Sequence, residues 1–245
     1  MSASGVERSR ARVLIVGVGG IGSPVALALA REGVGTLGLC DDDEVERSNL
    51  HRQILFDDAD VGMPKVLAAT RALLATAPTL NVVAHTARLL PEGAVDLVRG
   101  YDLVVEGSDN FATKFLTADA CALASVPVVH ASAVRWVGTV LAVAAAGKPC
   151  YRCLFEDLPE GDAPNCAEAG VMGPVVGVVG ALAADAALGI MEGTPPKLPL
   201  ATFDGKTGRL RRAPLAPRAG CPLCGHPARI LRIDAASYEA PACAG

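Results

Sequence analysis

Short apolar runs alternate with segments of helical spacing through the first 150 residues of the chain. Runs rich in Val, Leu and Ile are typical of buried strands, and the predicted strands are 12–17, 36–40, 81–84, 102–106, 127–130 and 138–144. Apolar residues that recur every three or four positions predict helices at 21–32, 65–76, 93–99 and 113–124. Because strands and helices alternate, we expect an α/β fold with a Rossmann-like, mostly parallel doubly wound sheet.

The alternation ends near residue 150, and the next long apolar segment has a different character. Residues 171–190 are almost all apolar, and 20 such residues could cross a bilayer as a helix. However, Asp185 lies inside the segment, Gly and Pro interrupt its first third, and no aromatic or basic anchors flank it. We therefore expect a buried helix with a glycine-rich start, close to a subunit contact, and no membrane association.

The bulk composition fits one large domain. The chain has 245 residues, of which 51% are hydrophobic, and this is enough for a sizeable core. The net charge of -4 comes from 22 basic and 26 acidic residues without a long block of either sign, so nothing indicates nucleic acid as a partner. No secretory leader opens the chain, so we expect a cytoplasmic protein, in which eight cysteines indicate metal binding or catalysis rather than disulfides.

A glycine-rich turn connects the first predicted strand to the first predicted helix. It contains Gly17, Gly19, Gly20 and Gly22. Such a turn can cradle phosphates with its backbone amides, although its glycines can also serve only a positive φ angle and close helix packing. Asp41 lies 19 positions after Gly22, directly behind the second strand, where a carboxylate can accept hydrogen bonds from ribose hydroxyls. Strand, turn and acid together favour nucleotide binding.

Three polar residues after Asp41 indicate which nucleotide is bound. Asn49, Arg52 and Lys65 are suited to a polyphosphate. A dinucleotide dehydrogenase needs no second set of cations, whereas an enzyme that breaks the α/β bond of ATP must neutralise the charge that grows on the departing pyrophosphate. Arg52 and Lys65 therefore favour ATP over NAD, and a nicotinamide-dependent oxidoreductase is the less favoured alternative.

A further acidic position follows the predicted strand at 102–106. Asp109 lies at the carboxyl end of that strand, where open α/β sheets bind ligands, so it is a candidate to hold Mg2+ on the phosphates of ATP. The alternative is that its carboxylate only caps the next helix. Asp43 could share the metal, or it could be solvated beside its acidic neighbours.

Two CxxC pairs, Cys150 with Cys153 and Cys221 with Cys224, predict a structural zinc site. Four thiolates would close a tetrahedral site and leave no position for substrate. We therefore expect Zn2+ to hold the C-terminal segment against the core. A redox CxxC or unrelated buried thiols are the alternatives.

The remaining cysteines differ in their sequence surroundings. Cys40 and Cys121 lie among apolar residues and are expected to pack in the core. Cys166 lies in a polar segment typical of a surface loop, where a thiol can be reached and could act in catalysis. Residues 227–245, which include Cys243, carry no interpretable chemistry and are expected to form a loosely held terminus.

Taken in order, these motifs resemble the ThiF/MoeB/HesA adenylyltransferases, which are relatives of ubiquitin-activating enzymes, and they are nearest to ThiF. The resemblance covers residues 11–225 and rests on Gly17 to Gly22, 41–43, 48–53, Pro64 with Lys65, 108–110, both CxxC pairs and 165–180. It implies ATP-dependent adenylylation of the C-terminal glycine of a ubiquitin-like sulfur carrier protein of the ThiS or MoaD type, which ends in Gly-Gly. A carrier-binding scaffold without catalysis is the alternative.

The resemblance also implies roles for single residues. Asp41 would bind the ribose and Asp109 the Mg2+. The phosphates would be contacted by Asn49, Arg52 and Lys65, while Asn110 would line the site and Ser48 would also belong to the nucleotide site. Cys166 would link to the activated carrier through sulfur. An arginine-containing element that usually precedes the first strand is absent from the first ten residues, so Arg8 and Arg10 are candidates to replace it.

The resemblance finally implies a division of the chain and an assembly. A lead at 1–10 would precede an ATP-binding core at about 11–148, a carrier- and zinc-binding part at about 149–226 and a tail at 227–245. The protein would form a homodimer, with the helix that begins at Gly173 near the contact.

Overall fold

The computed structural model of the protein describes residues 6–158 and 170–238, and these residues form one sheet of eight strands. The strands are β1 (Arg12–Val16), β2 (Thr36–Cys40), β3 (Asn81–His85), β4 (Leu103–Glu106), β5 (Val128–Val134), β6 (Val137–Val143), β7 (Leu200–Asp204) and β8 (Arg209–Ala213). Their order across the sheet is β3-β2-β1-β4-β5-β6-β7-β8. The first five strands in this order are parallel and the last three are antiparallel, which confirms the predicted mostly parallel α/β sheet.

Helices cover both faces of the sheet. They are α1 (Gly22–Arg31), α2 (Lys65–Thr76), α3 (Ala94–Arg99), α4 (Phe111–Ala124), α5 (Tyr151–Leu154) and α6 (Gly173–Met191). Alternate residues of β1 point to opposite faces: Val13 and Ile15 pack in one core cluster with α1, α2 and α6. Leu14 and Val16 pack in the other with α3 and α4. The strand is therefore buried on both sides, as its continuous apolar run predicts.

The long apolar segment predicted as a buried helix is α6. By length and composition this 19-residue helix could cross a membrane, but half of its most apolar window is buried inside the fold. It packs against α1, β5 and β6. Gly180 permits this close approach, because a Cβ added there would lie only 2.4 Å from Cγ of Pro24 on α1. The burial supports the expectation of a core helix.

The antiparallel half of the sheet differs from the sequence expectations. The predicted strand at 127–130 continues to Val134, and a tight turn at Arg135, whose φ is +53°, returns the chain as β6. The pattern did not predict β7 or β8. Four of the five residues of β8 are exposed, and three are arginines, so an edge strand of this kind has no apolar alternation by which to recognise it.

Candidate active site

A cleft of about 500 Å³ lies at the carboxyl ends of β1, β2 and β4. The sheet order changes direction between β1 and β4, which is where open α/β sheets bind ligands. The predicted residues that line the cleft are Gly17, Gly19, Gly20, Asp41, Asp43, Asn49, Arg52, Lys65, Asp109 and Asn110. Gly22 and Ser48 do not line it. Ten of the twelve residues that are predicted to bind the nucleotide therefore line one cleft.

The glycine turn packs directly on the loop that follows β4. Gly17 has a φ of +84°, and a Cβ added there would lie 2.8 Å from the backbone nitrogen of Ser108. At Gly22 an added Cβ would lie 2.0 Å from the Gly17 carbonyl oxygen. The turn thus needs glycine at both positions, and the role of Gly22 is close packing, which was the alternative to ligand contact.

Asp41 fixes the turn to the end of β2. The backbone N–H of Val18 donates to Asp41 Oδ2 at 2.7 Å, and the N–H of Asp43 donates to Oδ1 at 2.9 Å. Burial raises the pKa of the Asp41 carboxyl, and Lys65, whose Nζ lies 4.0 Å from Oδ1, limits that rise. Each carboxylate oxygen keeps a second acceptor site, so Asp41 can also accept hydrogen bonds from ribose hydroxyls.

Lys65 carries a buried positive charge at the same edge of the cleft. Only 5% of the residue is exposed, and its Nζ donates to Asp43 Oδ2 at 2.5 Å. The Asp43 side chain is 66% exposed, so the pair is open to solvent on the carboxylate side. Asp43 is therefore the counterion of Lys65, and the carboxylate oxygens of Asp41, Asp42 and Asp43 also lie close enough together to hold a metal ion.

Arg52 is oriented by a short polar chain. Its Nη2 donates to Asn49 Oδ1 at 2.5 Å, and Asn49 Nδ2 donates in turn to Glu46 at 3.1 Å. Ser48 donates to the same Glu46 carboxylate and does not reach the cleft. The nucleotide contact predicted for Ser48 therefore stays a prediction, and in this structure its hydroxyl bonds within the loop.

Gln53 is a cleft residue to which the sequence analysis gave no role. It is 3% exposed, it lines the cleft, and its Oε1 has no hydrogen-bond partner among the described residues. A buried acceptor without a partner costs free energy, so this atom is suited to a donor supplied by a ligand. The only signal in the sequence is its position directly after Arg52.

Helix capping and cation binding were the two possible roles of Asp109, and the structure gives the first of them to Asn110. Asn110 caps α4, because its Oδ1 accepts a hydrogen bond from the Thr113 N–H at 2.8 Å. Asp109 is exposed, lines the cleft and makes no hydrogen bond or ion pair with the described residues. The capping alternative therefore applies to Asn110, and the Asp109 carboxylate stays available to a cation.

A buried ionic network lies beneath this loop. Glu106 is 0% exposed and accepts hydrogen bonds from Lys114 Nζ at 2.8 Å and from the Ser108 N–H at 2.8 Å. Nδ1 of His130 lies 3.4 Å from Glu106 Oε2. Burial opposes ionisation of Glu106, but Lys114 and His130 outweigh it and hold the pKa of the carboxyl below its ordinary value. Nothing in the local sequence pattern predicts this network.

The four cysteines of the two CxxC pairs lie together, as predicted. The Sγ atoms of Cys150 and Cys221 are 3.5 Å apart, and those of Cys153 and Cys224 are 3.3 Å apart. A tetrahedral ion bound at ~2.3 Å from each sulfur would set these separations at ~3.8 Å, so small adjustments give a closed site. The donor set fits Zn2+ and leaves no position open for substrate.

The second CxxC pair forms a tight knuckle. Burial opposes ionisation of the Cys221 thiol, but hydrogen bonds from the backbone N–H groups of Cys224 and Leu223 outweigh it and lower the pKa of Cys221 to about 7. Gly225 completes the turn, because an added Cβ would lie 2.4 Å from the Cys221 carbonyl oxygen. The lowered pKa favours a thiolate at Cys221, whereas burial raises the pKa of Cys224 to about 11.

The segment after the knuckle is held more firmly than the sequence predicts. Tyr238 is 8% exposed, and its hydroxyl donates to Asp119 Oδ2 at 2.7 Å. Arg152, between the first two cysteines, donates to the same carboxylate at 2.8 Å. The expectation of a loosely held terminus is therefore wrong up to Tyr238, and the physical reason is this buried ion pair with its tyrosine.

The other predicted positions have mixed outcomes. Cys40 and Cys121 are buried, as expected, and burial raises the pKa of Cys40 to about 12. Cys166 lies outside the described residues. Arg8 donates to Glu192 at 2.8 Å and also pairs with Glu32, so within this chain it is committed away from the cleft.

The fold and the cleft define a doubly wound α/β protein with a polar ligand site at its glycine turn. The profile of the ThiF family matches residues 4–223. The chain therefore belongs to the ThiF family.

Two relatives and one solved structure are similar to the chain. It is 42% identical to the sulfur carrier protein adenylyltransferase of Thermus thermophilus, over 96% of this chain and 90% of that protein. It is 45% identical to the adenylyltransferase and sulfurtransferase MOCS3 of Sus scrofa, over 94% of this chain and 51% of that protein, so it spans about half of this relative. Its fold matches a crystal structure of E. coli MccB with ATP, with a TM-score of 0.77 and 24% identity over 89% of this chain and 68% of that chain.

Proposed function

We propose that this chain is an ATP-dependent adenylyltransferase that activates the C-terminal glycine carboxylate of a ubiquitin-like sulfur carrier protein. The observation that carries the proposal is that Asp41, Arg52, Lys65 and Asp109 line one cleft at the glycine turn. The reaction class is supported by the names of the relatives, which are a sulfur carrier protein adenylyltransferase and MOCS3. The enzyme acts on a protein substrate, and ATP supplies the adenylyl group.

The cleft residues fit ATP. The volume of about 500 Å³ lies in the usual range of small-molecule sites. The glycine turn presents its backbone without side chains, and the unpaired Gln53 Oε1 is suited to a hydroxyl or amino donor of the nucleotide. Mg2+, when bound, would neutralise part of the phosphate charge, and Asp109 is its candidate ligand because the carboxylate has no partner among the described residues.

The chemistry is assigned to positioning and electrostatics. The carrier carboxylate attacks the α-phosphorus of ATP, a carboxylate–phosphorus bond forms, and the bond to the bridging oxygen breaks to release pyrophosphate. Lys65 and Arg52 stabilise the charge that grows on the leaving group, and both are already oriented, by Asp43 and Asn49 respectively. No protein nucleophile is needed, because the carboxylate itself attacks.

Several finer features belong to the same proposal. The carrier protein ends in Gly-Gly, and the enzyme is a cytoplasmic homodimer. After adenylation the Cys166 sulfur bonds to the terminal carbonyl carbon of the carrier, while the acyl–phosphate bond breaks and AMP leaves. Residues of about 11–148 bind ATP, and those of about 149–226 bind the carrier and Zn2+. The four clustered cysteines support the metal, since their sulfur atoms lie within 4.8 Å of one another.

The test is carrier-dependent exchange of labelled pyrophosphate into ATP. We expect wild-type protein to catalyse exchange with a ubiquitin-like carrier, and we expect Lys65→Met to lower the rate about 10² to 10³-fold. Lys197→Met is the matched control, because Lys197 is exposed and does not line the cleft. Binding of carrier without any exchange would instead favour the non-catalytic scaffold, and preferential binding of NAD would favour an oxidoreductase.

A further inference from the structure

Arg88 is a cleft cation without a partner among the residues that the structure describes. Of these residues, three basic ones line the cleft, namely Arg52, Lys65 and Arg88. Lys65 is paired with Asp43, and Arg52 donates to Asn49. Arg88 is exposed and, among the described residues, makes no hydrogen bond or ion pair. Its guanidinium is therefore free to contact a ligand.

The order of the strands places Arg88 at the side of the cleft away from the phosphates. Along the carboxyl edge of the sheet the order is β3, β2, β1 and β4. The glycine turn follows β1 and Asp41 follows β2, so a nucleotide with its phosphates at the turn and its ribose at Asp41 extends its base toward β3. Arg88 lies in the segment that leaves β3, three residues after the strand ends at His85.

The segment that carries Arg88 is fixed against the end of β2. The thiol of Cys40 donates to the Ala87 carbonyl oxygen at 3.2 Å. Leu89 is 5% exposed, packs in the second core cluster and lines the cleft with an apolar surface. Arg88 thus stands between two anchored neighbours, and its backbone is held beside the position expected for the base.

We propose that Arg88 binds the base of the nucleotide by stacking its guanidinium on the adenine ring. The proposal rests on the function proposed above, since it assumes that the cleft binds ATP with its phosphates at the glycine turn. A guanidinium is planar and weakly hydrated, so it stacks on aromatic faces, which a lysine ammonium cannot do. Purines offer a larger face than pyrimidines, so Arg88 also favours ATP over CTP.

The experiment measures nucleotide affinity of the full chain by calorimetry, using Mg-ATP, Mg-CTP and inorganic tripolyphosphate as probes. We expect Arg88→Ala to raise the Kd for Mg-ATP about 3- to 30-fold. The Kd for tripolyphosphate, which has no base, should stay unchanged, and the preference for ATP over CTP should shrink. Arg88→Lys should recover only part of the lost affinity for Mg-ATP, because lysine restores the positive charge but has no planar guanidinium group.

The outcomes separate the two proposals. If wild-type protein binds Mg-ATP but Arg88→Ala binds it equally well, the stacking role is wrong and the proposed function stands. If Arg88→Ala weakens tripolyphosphate as much as ATP, Arg88 is a phosphate ligand and the stacking role is again wrong. If wild-type protein binds no ATP, the proposed function fails and this inference fails with it. Arg31→Ala, an exposed arginine away from the cleft, is the matched control.

Discussion

Asp109 and Lys65 line the same cleft but differ in burial and in pairing with other charged residues. Lys65 is 5% exposed and needs its counterion, since a buried charge without a partner costs free energy. Asp109 is exposed and unpaired within the described chain, so it costs no free energy of desolvation. Replacing Lys65 therefore disturbs both binding and the local fold, whereas replacing Asp109 tests binding alone.

We predict that Asp109→Asn lowers the exchange rate without changing stability. The amide keeps the size of the side chain but removes the charge that Mg2+ requires, so the Mg2+ concentration for half-maximal exchange should rise about tenfold or more. The free energy of unfolding in urea should stay within ~0.5 kcal/mol of wild type. Asp234→Asn, at an exposed acid outside the cleft, is the control; an unchanged Mg2+ dependence in Asp109→Asn would exclude a metal role.

Among single residues, the sequence predicts those whose position next to a strand or a helix indicates their role. Asp41 follows a strand and the glycines precede a helix, so both were found from local pattern. Gln53 and Glu106 were missed because their importance arises from burial: the first has an unpaired oxygen and the second meets Lys114 and His130 only in the folded chain. Ser48 does not line the cleft, and its hydroxyl donates to Glu46, a contact that the sequence pattern does not reveal.

The loop between β4 and α4 is the element that presents Asp109, and its base is the buried network of Glu106. Lys114 joins two elements, because its Nζ donates to Glu106 at the end of β4 and to the Ala131 carbonyl oxygen of β5 at 2.9 Å. Ser108 donates to the same carboxylate through both its N–H and its hydroxyl. The loop that carries Asp109 is thus positioned by a buried charge pair.

We predict that Lys114→Met destabilises the fold by about 3 to 5 kcal/mol, because it leaves the Glu106 carboxylate buried without its counterion. The double variant Glu106→Gln with Lys114→Met should recover part of this loss, since no unpaired charge remains. Urea unfolding of the two single variants and the double variant measures the coupling. Additive losses would contradict a direct ion pair.

The same network makes stability depend on pH. Burial lowers the pKa of His130, although Glu106 opposes that shift, so the unfolded chain binds a proton more readily than the folded chain below the ordinary value of 6.5. The pKa of Glu106 is likewise lowered, so its contribution is present above 4.5 and is lost as the pH falls further. Both pKa shifts change the stability in the same direction, so the free energy of unfolding should decrease as the pH is lowered.

Urea unfolding between pH 7.5 and pH 4 measures this expectation. Wild-type stability should begin to fall below about pH 6.5, and His130→Gln should remove the part lost above about pH 5. A stability that rises from pH 7.5 to pH 5 would contradict the assignment.

The apolar pattern predicts the strands and helices correctly where the same apolar residues are buried in the fold. The predicted helix at 65–76 has the observed bounds of α2, and the predicted strand at 36–40 has those of β2. The parallel half of the sheet is buried on both faces, so its strands read as apolar runs. The arginine-rich β8 is held by pairing with β7 rather than by burial, and pairing leaves little trace in a single sequence.

The cysteine cluster joins distant parts of the whole molecule. Cys150 and Cys221 are 71 positions apart, and Arg152, between the first two cysteines, shares Asp119 of α4 with Tyr238. The N-terminal end of the same helix lies at the cleft, where Asn110 caps it. The C-terminal segment is thus connected to the helix that begins at the ligand site.

We predict one Zn2+ per chain and a loss of stability when it is removed. Closing a loop of this length restricts the unfolded chain by about 4 kcal/mol, which corresponds to a fall in Tm of roughly 10 °C. Metal analysis and calorimetry before and after chelation measure both quantities. Cys221→Ser should reproduce the loss and make Tm insensitive to the chelator, whereas Cys121→Ser should retain the metal; a wild-type chain without bound metal would contradict the site.

The contact between the glycine turn and the loop after β4 has a consequence for synthesis on the ribosome. The pairing that brings them together joins distant positions: the Arg12 N–H donates to Asp102, 90 residues later. At ordinary translation speeds the second partner emerges roughly 5 to 20 s after the first. Until then the glycine turn cannot pack on the loop after β4, so this part of the cleft forms only after both segments have left the ribosome.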